Sequence, residues 1–242
     1  MDAYLAALAE LQQLAQDNAL TQPADVSVFF ERLTPLTGVA TGRYAEVYAL
    51  PETPDKVVKL CYNHKDGYYR FARWCMRPEN QSNRHVPRIF REDCVVISAT
   101  RVVRIYVLER LSEISLIGKE ATRPNHFMDV QFGQLWGMLR TLTLPLRQPQ
   151  AWAQLLWPSF ERFTAQLLQP RRTFYMNSAD KQPLQLSAEA LAKYDALLRT
   201  LYELLQYIAP LGTVDLHGGN YMLRGETVVI TDPLANLFAT AA

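Results

Sequence analysis

Apolar residues recur along this chain in a helical, then a strand-like, then again a helical rhythm. Over residues 1–35 the spacing is helical: Tyr4, Leu5, Leu8, Leu11 and Ala15 share a face, and Asp25 can cap a short helix carrying Val28, Phe29 and Leu33. From Leu36 the period drops to two. LTGVATGRYAEVYALP and DKVVKLCY predict three short strands, with turns at Ala40–Ala45 and Pro51–Pro54. Asp66–Arg77 reads as a helix offering Tyr69, Phe71, Ala72 and Cys75 to a sheet, and Val86–Phe90, Cys94–Ser98 and Val102–Leu108 read as further strands. Past Leu111 the rhythm is helical again, in Asn125–Leu144 and Trp152–Leu168. A polar stretch, Gln169–Leu186, holds Arg171, Arg172 and Lys181 and is either a solvated loop or a dock for an acidic partner. Ser187 then caps a long helix with Leu191, Tyr194, Leu198, Leu201, Leu205 and Ile208 a turn apart, closed by Pro210-Leu211-Gly212. The result is an α+β chain of a helical extension (1–35), a strand-rich part (36–111) and a mostly helical part (112–242).

Composition narrows the classes. With 242 residues and 49% apolar content, the chain can bury a sizeable core. Its 25 Lys+Arg against 24 Asp+Glu give no bulk field for direct binding of nucleic acid or an anionic membrane. Cys61, Cys75 and Cys94 are odd in number and lack metal-type spacing, which suits free thiols in a reducing cytoplasm. The opening MDAYLAALAELQQ does not look like a signal peptide, and no window approaches a membrane span.

The chemistry concentrates in TVDLHGGNYMLRGETVVITDP, Thr213–Pro233. Asp215 and Asn220 stand five apart, and Asp232 follows the apolar run Val228–Thr231. Taken alone, Asp215–Asn220 is open to two readings. One is a polar turn between a helix and a hairpin, since Asp, Asn and Gly are ordinary turn residues. The other resembles the D-x-x-x-x-N loop of kinase-type phosphotransferases followed by a metal-binding Asp. Such a loop must present two groups to one phosphate: a carboxylate (Asp215) that orients the attacking hydroxyl and accepts its proton, and an amide oxygen (Asn220) that reaches magnesium. Asp232 would be the bridging metal ligand, and magnesium, which prefers oxygen ligands and is held by few protein groups plus phosphates, suits that pair.

Upstream, the kinase pattern implies nucleotide contacts. If Val47 is the valine of a Gly-rich loop, its glycine positions fall on Ala40, Gly42 and Ala45, with Tyr44 at the tip; a plain hairpin is the competing reading. Lys59, in VVKL, stands where kinases carry the phosphate-pairing lysine, although a lysine among strand apolars is also an ordinary snorkelling residue. Leu108-Glu109-Arg110-Leu111 resembles the hinge: Leu108 the gatekeeper, the Glu109 carbonyl and Leu111 amide the adenine contacts. All of these fall in the order that a bilobal protein-kinase-like fold needs, with ATP and Mg as cofactors.

GRYAEVYALPETPDKVVKL together with DLHGGNYML and VVITDPLA resembles the early serine/threonine protein kinase of Teseptimavirus-type (Autographiviridae) bacteriophages, over about Leu36–Leu111 and Thr213–Asn236. The resemblance implies phosphate transfer from ATP to Ser/Thr of bacterial host proteins and to itself in the host cytoplasm. It also implies a part in host takeover, including transcription and counter-defence. Departures from the kinase pattern are plain. The helix after Lys59 has no internal Glu, leaving Asp66, Glu79 or Asp232 to position the lysine. Thr213-Val214 replaces His-Arg, and the ten residues after Asp232 leave no room for an activation segment, so the helical lobe is expected to be truncated and not switched by phosphorylation there. His217 replaces the loop lysine, and either donates to the transferring phosphate or hydrogen-bonds the loop. The D-L-H-x-G-N form is shared with aminoglycoside- and choline-type small-molecule kinases. A pseudokinase acting by contact is a further alternative, against which Lys59, Asp215, Asn220 and Asp232 together argue.

Overall fold

The computed structural model describes residues 2–33, 38–41, 45–50, 52–62, 67–99, 101–114, 130–143, 157–169 and 186–238. It divides into two compact units, one of Met1–Gln81 and Pro87–Arg110, the other of Ser82–Val86 and Leu111–Ala242. Among the described residues, no helix is long and apolar enough to cross a membrane.

The first unit is built on a five-stranded antiparallel sheet of β1 (Gly38–Thr41), β2 (Ala45–Leu50), β3 (Thr53–Cys61), β4 (Ile89–Ser98) and β5 (Arg101–Glu109), in the order β1-β2-β3-β5-β4. Strand alternation sends Tyr48, Leu50, Val58, Leu60, Val95, Val103, Ile105 and Val107 to one face. There they meet Tyr4, Leu8 and Leu11 from α1 (Asp2–Gln16) and Val26 and Phe30 from α2 (Pro23–Leu33). The N-terminal helices are thus a layer of this unit. Leu5 and Val28, expected inward, point outward, because the buried stripes run through their neighbours Tyr4–Leu8–Leu11 and Val26–Phe30. Asp25 caps from inside the first turn of α2, its carboxylate accepting from the backbone N–H of Thr21 (2.7 Å) and Gln22 (3.0 Å).

On the other side of the unit, α3 (Tyr68–Cys75) buries Tyr68, Phe71, Ala72 and Cys75, the i, i+3, i+4, i+7 set of one helical face. Tyr69, expected inward, is only half-buried, and the true member of the stripe is its neighbour Tyr68. The two apolar stretches expected as separate strands around Arg91–Asp93 form the single strand β4. At a sheet edge these charges can stay in register and pair with each other and across the ladder, Arg91 with Asp93 and Glu92 with Arg104.

The second unit holds α4 (Val130–Thr143), α5 (Phe160–Leu167), α6 (Ala188–Lys193) and α7 (Asp195–Ile208). Phe132, Leu135, Met138, Leu139 and Leu142 form the buried stripe of α4. The helix expected from Trp152 starts at Phe160, where the Ser159 hydroxyl accepts from the Arg162 N–H; residues 151–156 lie outside the described set, as do 170–185 of the polar stretch. Ser187 caps as expected, its hydroxyl accepting from the Ala190 N–H at 3.1 Å. The long helix it starts is interrupted at Tyr194 (φ −103°), whose ring packs 5.8 Å from Phe132. Beyond the break, α7 buries Leu197, Leu198, Leu201, Leu204, Leu205 and Ile208. It leads to β7 (Gly212–Val214), which pairs with β10 (Leu234–Leu237), while β6 (Ser112–Glu113), β8 (Tyr221–Arg224) and β9 (Thr227–Ile230) form a second small sheet. Gly225, at φ +60°, makes the β8–β9 turn.

Candidate active site

In the first unit the strand register gathers the expected nucleotide-side residues on the sheet face opposite α1 and α2. Val47 stands across from Lys59, Lys59 across from Tyr106, and Val57 across from both Ala49 and Leu108. Alternation therefore puts Ala45, Val47, Lys59 and Leu108 on one face. Ala40 lies in β1 opposite Val47, whereas Gly42 and Tyr44 lie outside the described residues. The Lys59 side chain is buried, with Nζ 3.4 Å from the centroid of the Tyr68 ring. That placement favours its positive charge through the ring's negative face.

Of the acids considered for Lys59, Asp66 lies outside the described residues and Glu79 is exposed on a short 3-10 turn, Pro78–Asn80. Two residues that sequence reasoning missed lie on this same face. Tyr68 supplies the cation–π contact, and Glu92 accepts from Arg104 (3.2 Å) and from the Tyr106 hydroxyl (3.4 Å). Burial, the neighbouring Glu92 charge and Cys61 together push the Tyr106 hydroxyl's pKa well up, so it stays a neutral donor. At the end of β5, the Glu109 N–H donates to the Arg88 carbonyl (3.1 Å), while the Glu109 carboxylate accepts from the Arg88 N–H (2.7 Å). Leu111, the remaining residue of the expected hinge contacts, falls in the second unit.

In the second unit the backbone itself assembles the loop. The Asp215 N–H donates to the Pro233 carbonyl (2.8 Å), and the Thr231 N–H donates to the Asn220 carbonyl (2.9 Å). Two main-chain bonds, one at each end of the loop, therefore tie residues 215–220 to the segment that carries Asp232. Inside the loop, Gly218–Asn220 makes a 3-10 turn, and the buried Asn220 donates its side-chain amide to the Asp215 carbonyl at 2.7 Å. With the amide nitrogen so used, the amide oxygen is the atom left to act as a ligand. The Trp136 indole N–H donates to the Leu216 carbonyl (3.2 Å), fixing the loop to α4.

His217 contacts the loop itself. Its Nδ1 accepts from the Gly219 N–H (3.1 Å), which leaves the proton of the neutral ring on Nε2, 3.6 Å from the Asp215 carboxylate. Close approach requires glycine at Gly212 and favours it at Gly219, where the neighbour is a side chain. A Cβ on Gly219 would lie 3.0 Å from the His217 ring, and one on Gly212 would lie 2.2 Å from the Asn236 carbonyl oxygen, where β7 meets β10.

The donor set suits a hard cation. Asn220 and Asp232 offer oxygen only, the ligand type magnesium prefers, and among the described residues no cluster of three or more His, Cys, Asp or Glu offers a competing metal site.

No family model and no curated protein matches the chain. Among solved structures it is similar to the amicoumacin kinase hAmiN in complex with AMP-PNP, Ca2+ and Ami, at 16% identity and a TM-score of 0.35. The alignment covers 81% of this chain and 57% of that one, so the chain spans little more than half the length of that kinase.

Proposed function

We propose that this chain is an ATP- and magnesium-dependent phosphotransferase of the protein-kinase-like kind, acting on a hydroxyl group. The observation that carries the reading is the tying of Asp215, Asn220 and Asp232 into one short stretch of backbone by the Asp215–Pro233 and Thr231–Asn220 hydrogen bonds. Each bond is the next rung of an antiparallel ladder, Asn220–Thr231 of the β8–β9 pair and Asp215–Pro233 of the β7–β10 pair, so strand register sets the spacing of the three residues.

In this reading Asp215 orients the acceptor hydroxyl and takes its proton. Asn220 and Asp232 hold magnesium, and Lys59, on the face shared with Val47 and Leu108, neutralises the nucleotide's phosphates. Small residues at Ala40, Gly42 and Ala45 let amides approach those phosphates, and the roles the kinase pattern implies for adenine are Leu108 as gatekeeper and the Glu109 carbonyl and Leu111 amide as contacts. His217 steadies the loop between Gly219 and Asp215. Bound magnesium would supply charge neutralisation on the transferring phosphoryl group.

In the first form of this reading the acceptor is a small hydroxyl compound, since the D-L-H-x-G-N form of Asp215–Asn220 is shared with aminoglycoside- and choline-type kinases. The second reading is a Ser/Thr of bacterial host proteins. It rests on the resemblance of GRYAEVYALPETPDKVVKL and DLHGGNYML to the phage kinases. Incubating the protein with magnesium, gamma-labelled ATP and a bacterial lysate separates the two. Label in the soluble small-molecule fraction supports the first, label on protein bands supports the second, and no transfer in either fraction contradicts both.

A further inference from the structure

β9 is an edge strand of the β6-β8-β9 sheet, and its outer backbone groups would otherwise face a missing neighbour. One residue fills that place. The His85 ring donates from Nδ1 to the Val228 carbonyl (2.8 Å), and the His85 carbonyl accepts from the Ile230 N–H (2.9 Å). Val228 and Ile230 are two apart on the strand, so His85 takes one outward bond from each, as a partner strand would. Its segment, Ser82–Val86, is held to the same unit on both sides. Arg224 of β8 donates to the carbonyls of Arg84 (2.9 Å) and Val86 (3.0 Å), and the Asn83 amide donates to the Thr200 hydroxyl of α7 (2.9 Å). Asn83 Oδ1 in turn accepts from the His85 N–H (2.9 Å). The far side of the ring is engaged too, with Nε2 accepting from the Arg84 guanidinium at 3.3 Å.

We infer that His85 is a positioning residue for the proposed metal site, fixing the register of β9 and through it the placement of Asp232. The inference rests on the reading of Asp232 as a magnesium ligand. Asp232 lies two residues beyond Ile230, between the Thr231 and Pro233 bonds to the Asp215–Asn220 loop, so a slipping or fraying β9 end shifts the backbone that carries Asp232. Groups bonded directly to a metal ligand commonly set its affinity by about 10- to 100-fold, and His85, acting through the β9 backbone, is expected at the lower end.

The test is nucleotide binding against magnesium concentration, measured on full-length wild type, His85→Ala, His85→Asn, His85→Gln and Asp232→Ala. An asparagine amide nitrogen sits where Nδ1 does, and a glutamine's sits where Nε2 does. His85→Ala and His85→Gln are therefore expected to need about tenfold more magnesium for half-saturation, and His85→Asn to stay near wild type. Should His85→Ala not fold, the Asn and Gln variants carry the comparison between themselves. If Asp232→Ala loses the magnesium response while every His85 variant keeps it, or if Asn and Gln behave alike, the inference on His85 is overturned. If Asp232→Ala keeps the wild-type response, the metal-site reading itself falls, and the inference falls with it.

Discussion

Asp215 and Asn220 are placed by the main chain and by each other: the Asn220 amide closes on the Asp215 carbonyl, and Asp215 reaches across to Pro233 through its N–H. This part of the site was legible in the sequence because it is local. The spacing of Asp215, Asn220 and Asp232 is confined to eighteen residues, and a loop so short can be read from its own turn chemistry. Tyr68 and Glu92 were not legible, since each matters through a side chain that the packing of α3 and the strand register bring to it, and His85 was not, since its partner lies far along the chain. His85 meets Val228 across a separation of 143 residues, and no periodicity marks such a contact. At this scale the account predicts that Asp232→Ala abolishes magnesium-dependent nucleotide binding. Calorimetric titration with and without magnesium checks it, and an unchanged response would remove Asp232 from the proposed metal pair.

Among the elements, period decided type well and boundaries less well. The sheet, α1, α2 and α3 follow from the alternating and helical spacings, but Tyr68 rather than Tyr69 faces inward because the stripe through Phe71, Ala72 and Cys75 begins one residue earlier. β4 joins two apolar stretches that looked separate, since charged residues are at home on an edge strand. The long helix from Ser187 breaks at Tyr194 to set that ring against Phe132. Two stability predictions belong here. Ser187→Ala removes the hydroxyl that accepts from Ala190 and is expected to cost about 1 kcal/mol in denaturant unfolding. Gly212→Ala forces a methyl group against the Asn236 carbonyl and is expected to cost about 2 kcal/mol, lowering Tm by several degrees. A Gly212→Ala protein melting with wild type would show that β7 and β10 do not approach as closely as described.

The whole molecule has a predictable response to acid. Burial holds the His85 pKa below its usual value, reinforced by the Arg84 and Arg224 charges and opposed only by its bond to Val228. The unfolded chain therefore takes up that proton first. Stability tied to neutral His85 is present in full above about pH 6.5 and drains as the pH falls toward and through the lowered folded pKa. Glu46 acts lower on the scale. Burial works against its charge, but the Ser27, Tyr48 and Tyr62 hydroxyls together hold the carboxyl below the usual range, so its contribution is lost as pH falls below about 4.3. Thermal melts are expected to show a first decline just under pH 6.5 and a second below the carboxylate range. His85→Asn, which keeps the bond to Val228 without a titrating ring, is expected to flatten the first, and a first decline of wild-type size in that variant would contradict the assignment.

The central claim is that Asp215 serves phosphoryl transfer and that the loop around it is more than a turn. The measurement that tests it most directly is transfer of label from gamma-labelled ATP, with magnesium and a bacterial lysate, by wild type and Asp215→Ala, alongside nucleotide binding by both. Loss of the carboxylate is expected to slow transfer by about 100-fold or more while leaving nucleotide affinity nearly unchanged. An Asp215→Ala protein that transfers label as fast as wild type would contradict the account.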